Sequence, residues 1–494
     1  MKLVSLLLAS LFAIQACADA LSANTLPDSV REALQSARIP LDSVGIYVQD
    51  IHAAAPLLAI NGQQAMNPAS TMKLLTTYAA LEVLGPSYTW PTEAWLDGKL
   101  EEGVLDGNLI IKGHGNPKLT VEHLWTWLHE MRNRGLREIR GNVILDRSAF
   151  EPQDIDTAAF DNDPNRAYNV APDTLLLNFN AIRFHFSPDA AGISVYTEPA
   201  LDGIVLDNRL KPIQTRHCAD WDDHLKFSLT GEDGIIRING RYPVNCGEHD
   251  KTLSLLPHQA YFEAVFRAIW RETGGSLSGT FESGIVTPTA ELFSTQHSQP
   301  LSEIIRDINK FSNNVMARQL FLSLSLDRSS PSANYPVNTP ATQASGVPAA
   351  TPLQPASIAA SNAILQEWLA RKGLEIPELV IENGSGLSRI ARISPYSLAM
   401  VLRDIELNPL SAEIEASLPI VGMDGTMRRR HLECEVKAHA HMKTGSLEGV
   451  KSMAGYLQSR SGKQWLVVFF INHPHARQGQ QAQDALLDWL MENG

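Results

Sequence analysis

Three short strings limit what this chain can fold into: Ser70-Thr71-Met72-Lys73, Ser312-Asn313-Asn314 and Lys443-Thr444-Gly445-Ser446. They act together only in a fold that carries residues hundreds of positions apart into one pocket. They supply an attacking hydroxyl, a lysine one helical turn from it, a second hydroxyl with an amide, and a strand able to hold a carboxylate. This is the equipment of an acyl-serine enzyme in which lysine does the proton work that histidine does elsewhere.

Each string alone also has a bland reading. Pro68-Ala69 leads into Ser70 at the first turn of a predicted helix, where backbone N–H groups and the helix dipole favour a developing oxyanion. Positions three apart share a helix face, so the Lys73 ammonium reaches the Ser70 hydroxyl. The alternative is a capping serine with a solvated lysine. The S-x-N pattern recurs at Ser22-Ala23-Asn24, beside a leader, and at Ser332-Ala333-Asn334, in an aperiodic segment. Ser312-Asn313-Asn314 instead interrupts an amphipathic run from Leu301 to Leu324, which predicts a helix break facing a cleft. Lys443-Thr444-Gly445-Ser446 is expected at a strand end, with Gly445 letting a substrate backbone come close. The order of the three strings, each on a suitable element, outweighs the separate bland readings.

The flanking sequence bounds the setting. Lys2, the apolar run Leu3 to Ile14 and the small-residue sites Ala16-Cys17-Ala18 and Ala18-Asp19-Ala20 predict a cleaved export signal over 1–20. That run is too short to span a bilayer permanently. Gln15 argues against lipidation of Cys17. A net charge of -13 with 44% hydrophobic residues describes an acidic globular protein with no nucleic-acid footprint. In an oxidising compartment Cys218 and Cys246 are candidates for a disulfide, leaving Cys434 free. A metal site at His217-Cys218 or His431-x-x-Cys434 is the alternative, but it lacks paired ligand spacing, so no metal and no cofactor are expected.

Hydrophobic periodicity predicts strands over Asp42 to Asn61, a central helix over Ser70 to Leu84, a β-rich middle from about Trp90, and a helix over His258 to Thr273. The Pro/Ala/Ser/Thr-rich stretch 329–359 is expected to be a mobile loop. Helices over Ile358 to Lys372 and Ser394 to Leu407 follow. A strand ending at Lys443, two more strands and a helix from Gln480 to Met491 close the chain. The fold expected is mixed α/β (α+β), with one antiparallel sheet built from both termini and flanked by helices.

Further strings carry a resemblance: Asn67 to Leu74, Asn383-Gly-Ser-Gly-Leu-Ser-Arg389, Leu418 to Thr426 and Lys443 to Gly449. With the long gap between Ser70 and Ser312, they make the chain similar to class C, low-molecular-mass penicillin-binding proteins of the penicillin-binding protein 4 type. The resemblance implies a penicillin-binding, β-lactamase-like serine transpeptidase domain over 21–90 and 292–494. It also implies two β-rich inserted domains, over 91–175 with 262–291 and, nested, over 176–261. The implied activity is D-alanyl-D-alanine carboxypeptidase on peptidoglycan stem peptides, with D,D-endopeptidase action open beside it. The mechanism would run through an acyl-Ser70 intermediate that β-lactam antibiotics trap covalently.

Ser70, Lys73, Ser312 and Asn314 would be catalytic, and the backbone N–H groups of Ser70 and Ser446 the oxyanion hole. Lys443, Thr444 and Ser446 would take the terminal carboxylate, with Arg389 binding a carboxylate further along the stem. The implied location is periplasmic, with at most peripheral membrane association, and a homodimer stays open. A β-lactamase or esterase using the same serine and lysine is the rival, and a catalytically weak wall-binding protein is another. Asn116 and Asn383 stand where the family commonly has Asp.

Overall fold

The computed structural model describes residues 25–153, 155–189, 192–230, 234–326, 354–430 and 435–494. The export signal 1–20, Cys17, Cys434 and the stretch 329–353 lie outside the described residues. The chain divides into two compact units, one from 1–88, 300–347 and 358–494 and one from 89–299 and 348–357.

The first unit is organised by a five-stranded antiparallel sheet, in the order Ala440–Leu447, Val450–Gln458, Gln464–Asn472, Val44–Asp50, Leu58–Ile60. The two termini therefore share one sheet. Its middle strands are apolar on both faces: Val44 to Gln49 and Trp465 to Ile471 are buried throughout. Such strands need cover on each side. On one side the helices Asp28–Ser36 and Gln480–Asn493 pack with the sheet around Val30, Leu34, Leu486 and Leu490. The helix Pro395–Glu406 also packs on the central strands.

The helix Met72–Leu84 has almost no polar surface, and every residue but Glu82 is buried. It sits against the helices Leu301–Lys310 and Asn314–Ser323, and Gly85 ends it at φ +88°. The motif strand runs Ala440–Leu447, so Lys443 lies in its middle, not at its end as the sequence suggested. The ladder to Val450–Gln458 continues past Gly445 to Leu447, which the short apolar run before Lys443 does not reveal.

The second unit holds a seven-stranded sheet drawn from 91–146 and 276–297 and two three-stranded sheets drawn from 182–253. One hydrophobic cluster runs through them, from Leu109, Trp127 and Val143 to Phe184, Ile238, Phe266 and Trp270. The boundaries expected at 90 and 292 shift to 88 and 300. The strand Glu291–His297 pairs antiparallel with Pro91–Glu101, which places both ends of the insertion in one sheet. The expected loop also ends sooner than 359. Ala356 exchanges backbone hydrogen bonds with the Phe150 region, and the helix Ile358–Lys372 begins two residues later. Cys218 and Cys246 are joined as a disulfide, their Cα atoms 5.5 Å apart.

Candidate active site

Ser70 lies on a single 3-10 turn, Ala69–Thr71, that feeds directly into the buried helix. Ala69 holds φ +45°, a conformation that costs an L-residue about 1–3 kcal/mol and persists only where its surroundings impose it. Those surroundings are visible. Asn67 Oδ1 accepts from the Ala69 N–H at 2.9 Å, while its Nδ2 donates to the Ser388 carbonyl at 2.8 Å. Thr71 and Ser452 hydroxyls both donate to the Pro68 carbonyl, at 2.7 and 2.6 Å. The turn is thus tied to its own helix, to the sheet and to the Asn383–Arg389 loop.

Lys73 is wholly buried, and its Nζ donates to Ser70 Oγ at 2.9 Å, Asn314 Oδ1 at 2.6 Å and the Ser385 carbonyl at 2.5 Å. Three neutral acceptors surround an ammonium that has lost its water. Burial, then the positive charges of Lys443 and Arg318, hold its pKa well below the ordinary lysine value. The Ser385 carbonyl was not foreseen as a partner. Asn383 positions it: Asn383 Oδ1 accepts from both the N–H and the hydroxyl of Ser385, at 3.0 and 2.7 Å. The amide at this position therefore keeps the acceptor geometry that an aspartate would have.

Between the helices Leu301–Lys310 and Asn314–Ser323 the chain breaks, as its polar triplet suggested, and Ser312 adopts φ +57°. Asn313 caps the second helix by accepting from the Met316 N–H at 3.0 Å. This leaves Asn314 at the first helical position, facing Lys73. Lys443, also without exposed surface, donates to Ser312 Oγ at 2.9 Å and to the Thr444 carbonyl at 2.8 Å. Burial alone lowers its pKa to about 7. The two lysines thus each hold one hydroxyl of the site.

Gly445 closes the arrangement. A Cβ there would lie 2.6 Å from the Ser70 backbone N and 2.3 Å from Ser452 Oγ, so only glycine lets the motif strand approach the serine turn. Ser70, Ser312, Asn314, Thr444, Gly445 and Ser446 together line a cleft of about 440 Å³. A second hollow of about 530 Å³, near Leu374, Tyr396 and Leu407, contains none of the motif residues.

The cleft also takes in Thr426, Arg429, Arg430, Lys451 and Gln480, to which the sequence reading gave no role. Thr426 lies within the Leu418 to Thr426 string, and its hydroxyl is 2.8 Å from that of Thr444. Buried Lys310 pairs with Asp424 at 2.6 Å and fixes that loop. Arg389 is placed differently from expectation. Its guanidinium donates to the Glu448 carbonyl at 3.1 Å and lies 3.7 Å from the Glu448 carboxylate, and it is not among the residues lining the cleft.

Among the described residues no group of three or more His, Cys, Asp or Glu side chains is arranged to hold a metal ion. No helix there is long and apolar enough to cross a membrane.

Two cleft hydroxyls, each hydrogen-bonded to a buried lysine whose pKa is lowered, suit acyl transfer. Comparison with known proteins then decides the family. The D-Ala-D-Ala carboxypeptidase 3 (S13) family model matches residues 26–335 and 342–493. The chain belongs to this family. It is a D-Ala-D-Ala carboxypeptidase of the serine type.

It is 26% identical over 442 residues to the D-alanyl-D-alanine carboxypeptidase DacB of Haemophilus influenzae, covering 87% of this chain and 85% of that one. It is 25% identical over 468 residues to the D-alanyl-D-alanine carboxypeptidase of an Actinomadura species, covering 91% and 81%. The crystal structure of penicillin-binding protein 4 from Haemophilus influenzae shares the fold, with a TM-score of 0.76 and 22% identity, covering 94% of this chain and 99% of that one.

Proposed function

We propose that this member of the family cleaves the bond between the two terminal D-alanines of peptidoglycan stem peptides through an acyl-Ser70 intermediate. Ser70 Oγ attacks the carbonyl carbon while its proton passes to neutral Lys73, 2.9 Å away. The developing oxyanion is met by the backbone N–H groups of Ser70 and Ser446. The proton held by Lys73 is relayed through the Ser312 hydroxyl to the leaving amine as the C–N bond breaks, so Lys73 is neutral again and Ser312, held by Lys443, keeps a proton. Water then attacks the ester, returning the proton to Ser70 and releasing the shortened peptide.

The observation that carries the reading is the wholly buried Lys73, shared between Ser70, Asn314 and a main-chain carbonyl. A lysine kept neutral needs this desolvation, and where buried Lys310 is paired with the Asp424 carboxylate, Lys73 has only neutral acceptors. β-Lactams would acylate the same hydroxyl; a crystal structure of the Haemophilus influenzae protein is described as complexed with one. The export signal read from the sequence and the wall substrate together support a periplasmic location.

Incubation of the purified protein with muropeptides, with products identified by mass, should show loss of one alanine. Ser70→Ala should lose both this activity and labelling by fluorescent penicillin; a variant still labelled would sink the assignment. Rapid penicillin turnover, in place of a long-lived acyl-enzyme, would favour a β-lactamase.

A further inference from the structure

The mechanism leaves the substrate's carboxylate without a cation. Lys443, the expected partner, has no exposed surface, and its Nζ is held by Ser312 and the Thr444 carbonyl. A leaving group in the cleft therefore meets the hydroxyls of Thr444 and Ser446 but not that ammonium. A carboxylate stripped of water against neutral hydroxyls alone is poorly compensated.

The wall of the same cleft offers what is missing. Lys451 stands directly opposite Ser446 in the antiparallel ladder, so the two side chains share a face, and its Nζ donates to Ser446 Oγ at 3.1 Å. Arg429 lines the cleft as well and has no hydrogen-bond or ion-pair partner among the described residues. Arg430, buried beside them, is already engaged by Asp484 and by the Gln480 carbonyl. The cleft lining contains three cations and no carboxylate. Around Lys451, burial and the charges of Arg430 and Arg477 disfavour its protonation, and only Asp484 opposes them. The local field is that of a site waiting for an anion.

We propose that Lys451, with Arg429 on the same wall, receives the free carboxylate of the leaving D-amino acid, while Thr444 and Ser446 orient it. The proposal rests on the function argued above and assigns the specificity for a free C-terminus to the neighbouring strand instead of to the motif lysine. Its charge–charge contact, unlike the hydroxyl contacts, distinguishes an acid from an ester or amide.

The test compares acylation by benzylpenicillin with acylation by its methyl ester, in the wild type, Lys451→Gln, Lys451→Arg and Arg429→Gln. D-alanine release from a D-Ala-D-Ala peptide and from its C-terminal amide is followed in parallel. The expected result is an acid-over-ester preference that falls roughly ten- to a hundredfold in Lys451→Gln, is largely restored in Lys451→Arg, and falls less in Arg429→Gln. The same collapse should appear in the acid-over-amide ratio for peptides, mainly through KM.

An acid-over-ester ratio unchanged in Lys451→Gln would overturn the proposal, as would equal losses on acid and ester, which mark a merely structural lysine. Because acylation by penicillin reports on carboxylate recognition directly, absent D-alanine release in the wild type would count against the peptide reading alone.

Discussion

The two units bury different things. In the second, the largest side chains shut away from water are aromatic, among them Trp90, Trp127, Trp270, Tyr242, Tyr261 and Phe266. In the first, the interior also holds positive charge. The buried cations among the described residues are Lys73, Lys310, Arg318, Arg430 and Lys443, and all five lie in that unit. Lysine and arginine are almost never fully buried without a reason, because desolving them costs several kcal/mol. Lys310 and Arg430 have carboxylate partners, Asp424 and Asp484. Lys73 and Lys443 are given neutral acceptors instead. The contrast separates an interior that supplies stability from one in which stability is given up to keep an amine reactive.

Lys73→Met should break the contrast most sharply. It removes the proposed proton acceptor, so penicillin acylation should fall about 10³-fold or more. Melting temperature should hold steady or rise, since the variant exchanges a desolvated amine for a methionine of similar length. A large drop in melting temperature with acylation preserved would reverse the assignment.

Trp270→Ala is the opposite experiment. Trp270 is 1% exposed, stacks near Phe266 and donates its Nε1–H to the Ser276 carbonyl at 3.0 Å. Its truncation should cost about 3–5 kcal/mol of stability, read as a lowered urea midpoint. The acylation rate constant of the molecules that remain folded should not change.

Gly445→Ala sharpens the same division inside the first unit. The added methyl would press on the Ser70 N–H, Ser452 Oγ and Ala69 Cβ, 2.6, 2.3 and 2.8 Å away. Displacing the Ser70 N–H, one of the two proposed oxyanion donors, should slow acylation about 10²-fold, with a smaller loss of melting temperature than expected for Trp270→Ala. Stopped-flow acylation beside a thermal melt separates the two.

How much of this was legible in the sequence follows the same divide. The motif residues could be read because their chemistry is local: Ser70 and Lys73 share a helix face by spacing alone, and the polar triplet at Ser312 announces its own helix break. The elements of the first unit could be read because their apolar periods are strong, as in Val44 to Gln49 and Met72 to Leu84. What escaped was made by contacts distant in the chain. The Ser385 carbonyl meets Lys73 across 312 positions, and a main-chain oxygen leaves no mark on composition. Lys451 reads as an ordinary strand lysine until the ladder sets it opposite Ser446. Lys443 lies inside a strand that runs on to Leu447 and is wholly buried, which the apolar run before it does not announce.

Lys443→Met gives the smallest expected effect and tests whether the two buried amines are coupled. The Lys443 charge helps keep the Lys73 pKa low, after burial. Without it, Lys73 holds its proton to higher pH, less of it is neutral at a given acid pH, and the acid limb of the acylation profile should move upward. The position of that limb, not the plateau, is the readout, because losing the Ser312 hydrogen bond lowers the plateau as well.

Stability gives an independent check. Lys443 binds its proton with a pKa of about 7 when folded, against 10.5 ordinarily. Between those values the unfolded chain carries the extra proton, so stability rises with pH through this window and the penalty of the buried amine is fully present below it. Lys443→Met should flatten that rise in urea titrations. An unmoved acid limb would mean that Lys443 carries no charge while Lys73 titrates, so that burial by itself lowers the Lys73 pKa; an unchanged slope would mean that Lys443 binds its proton alike in the folded and unfolded chain.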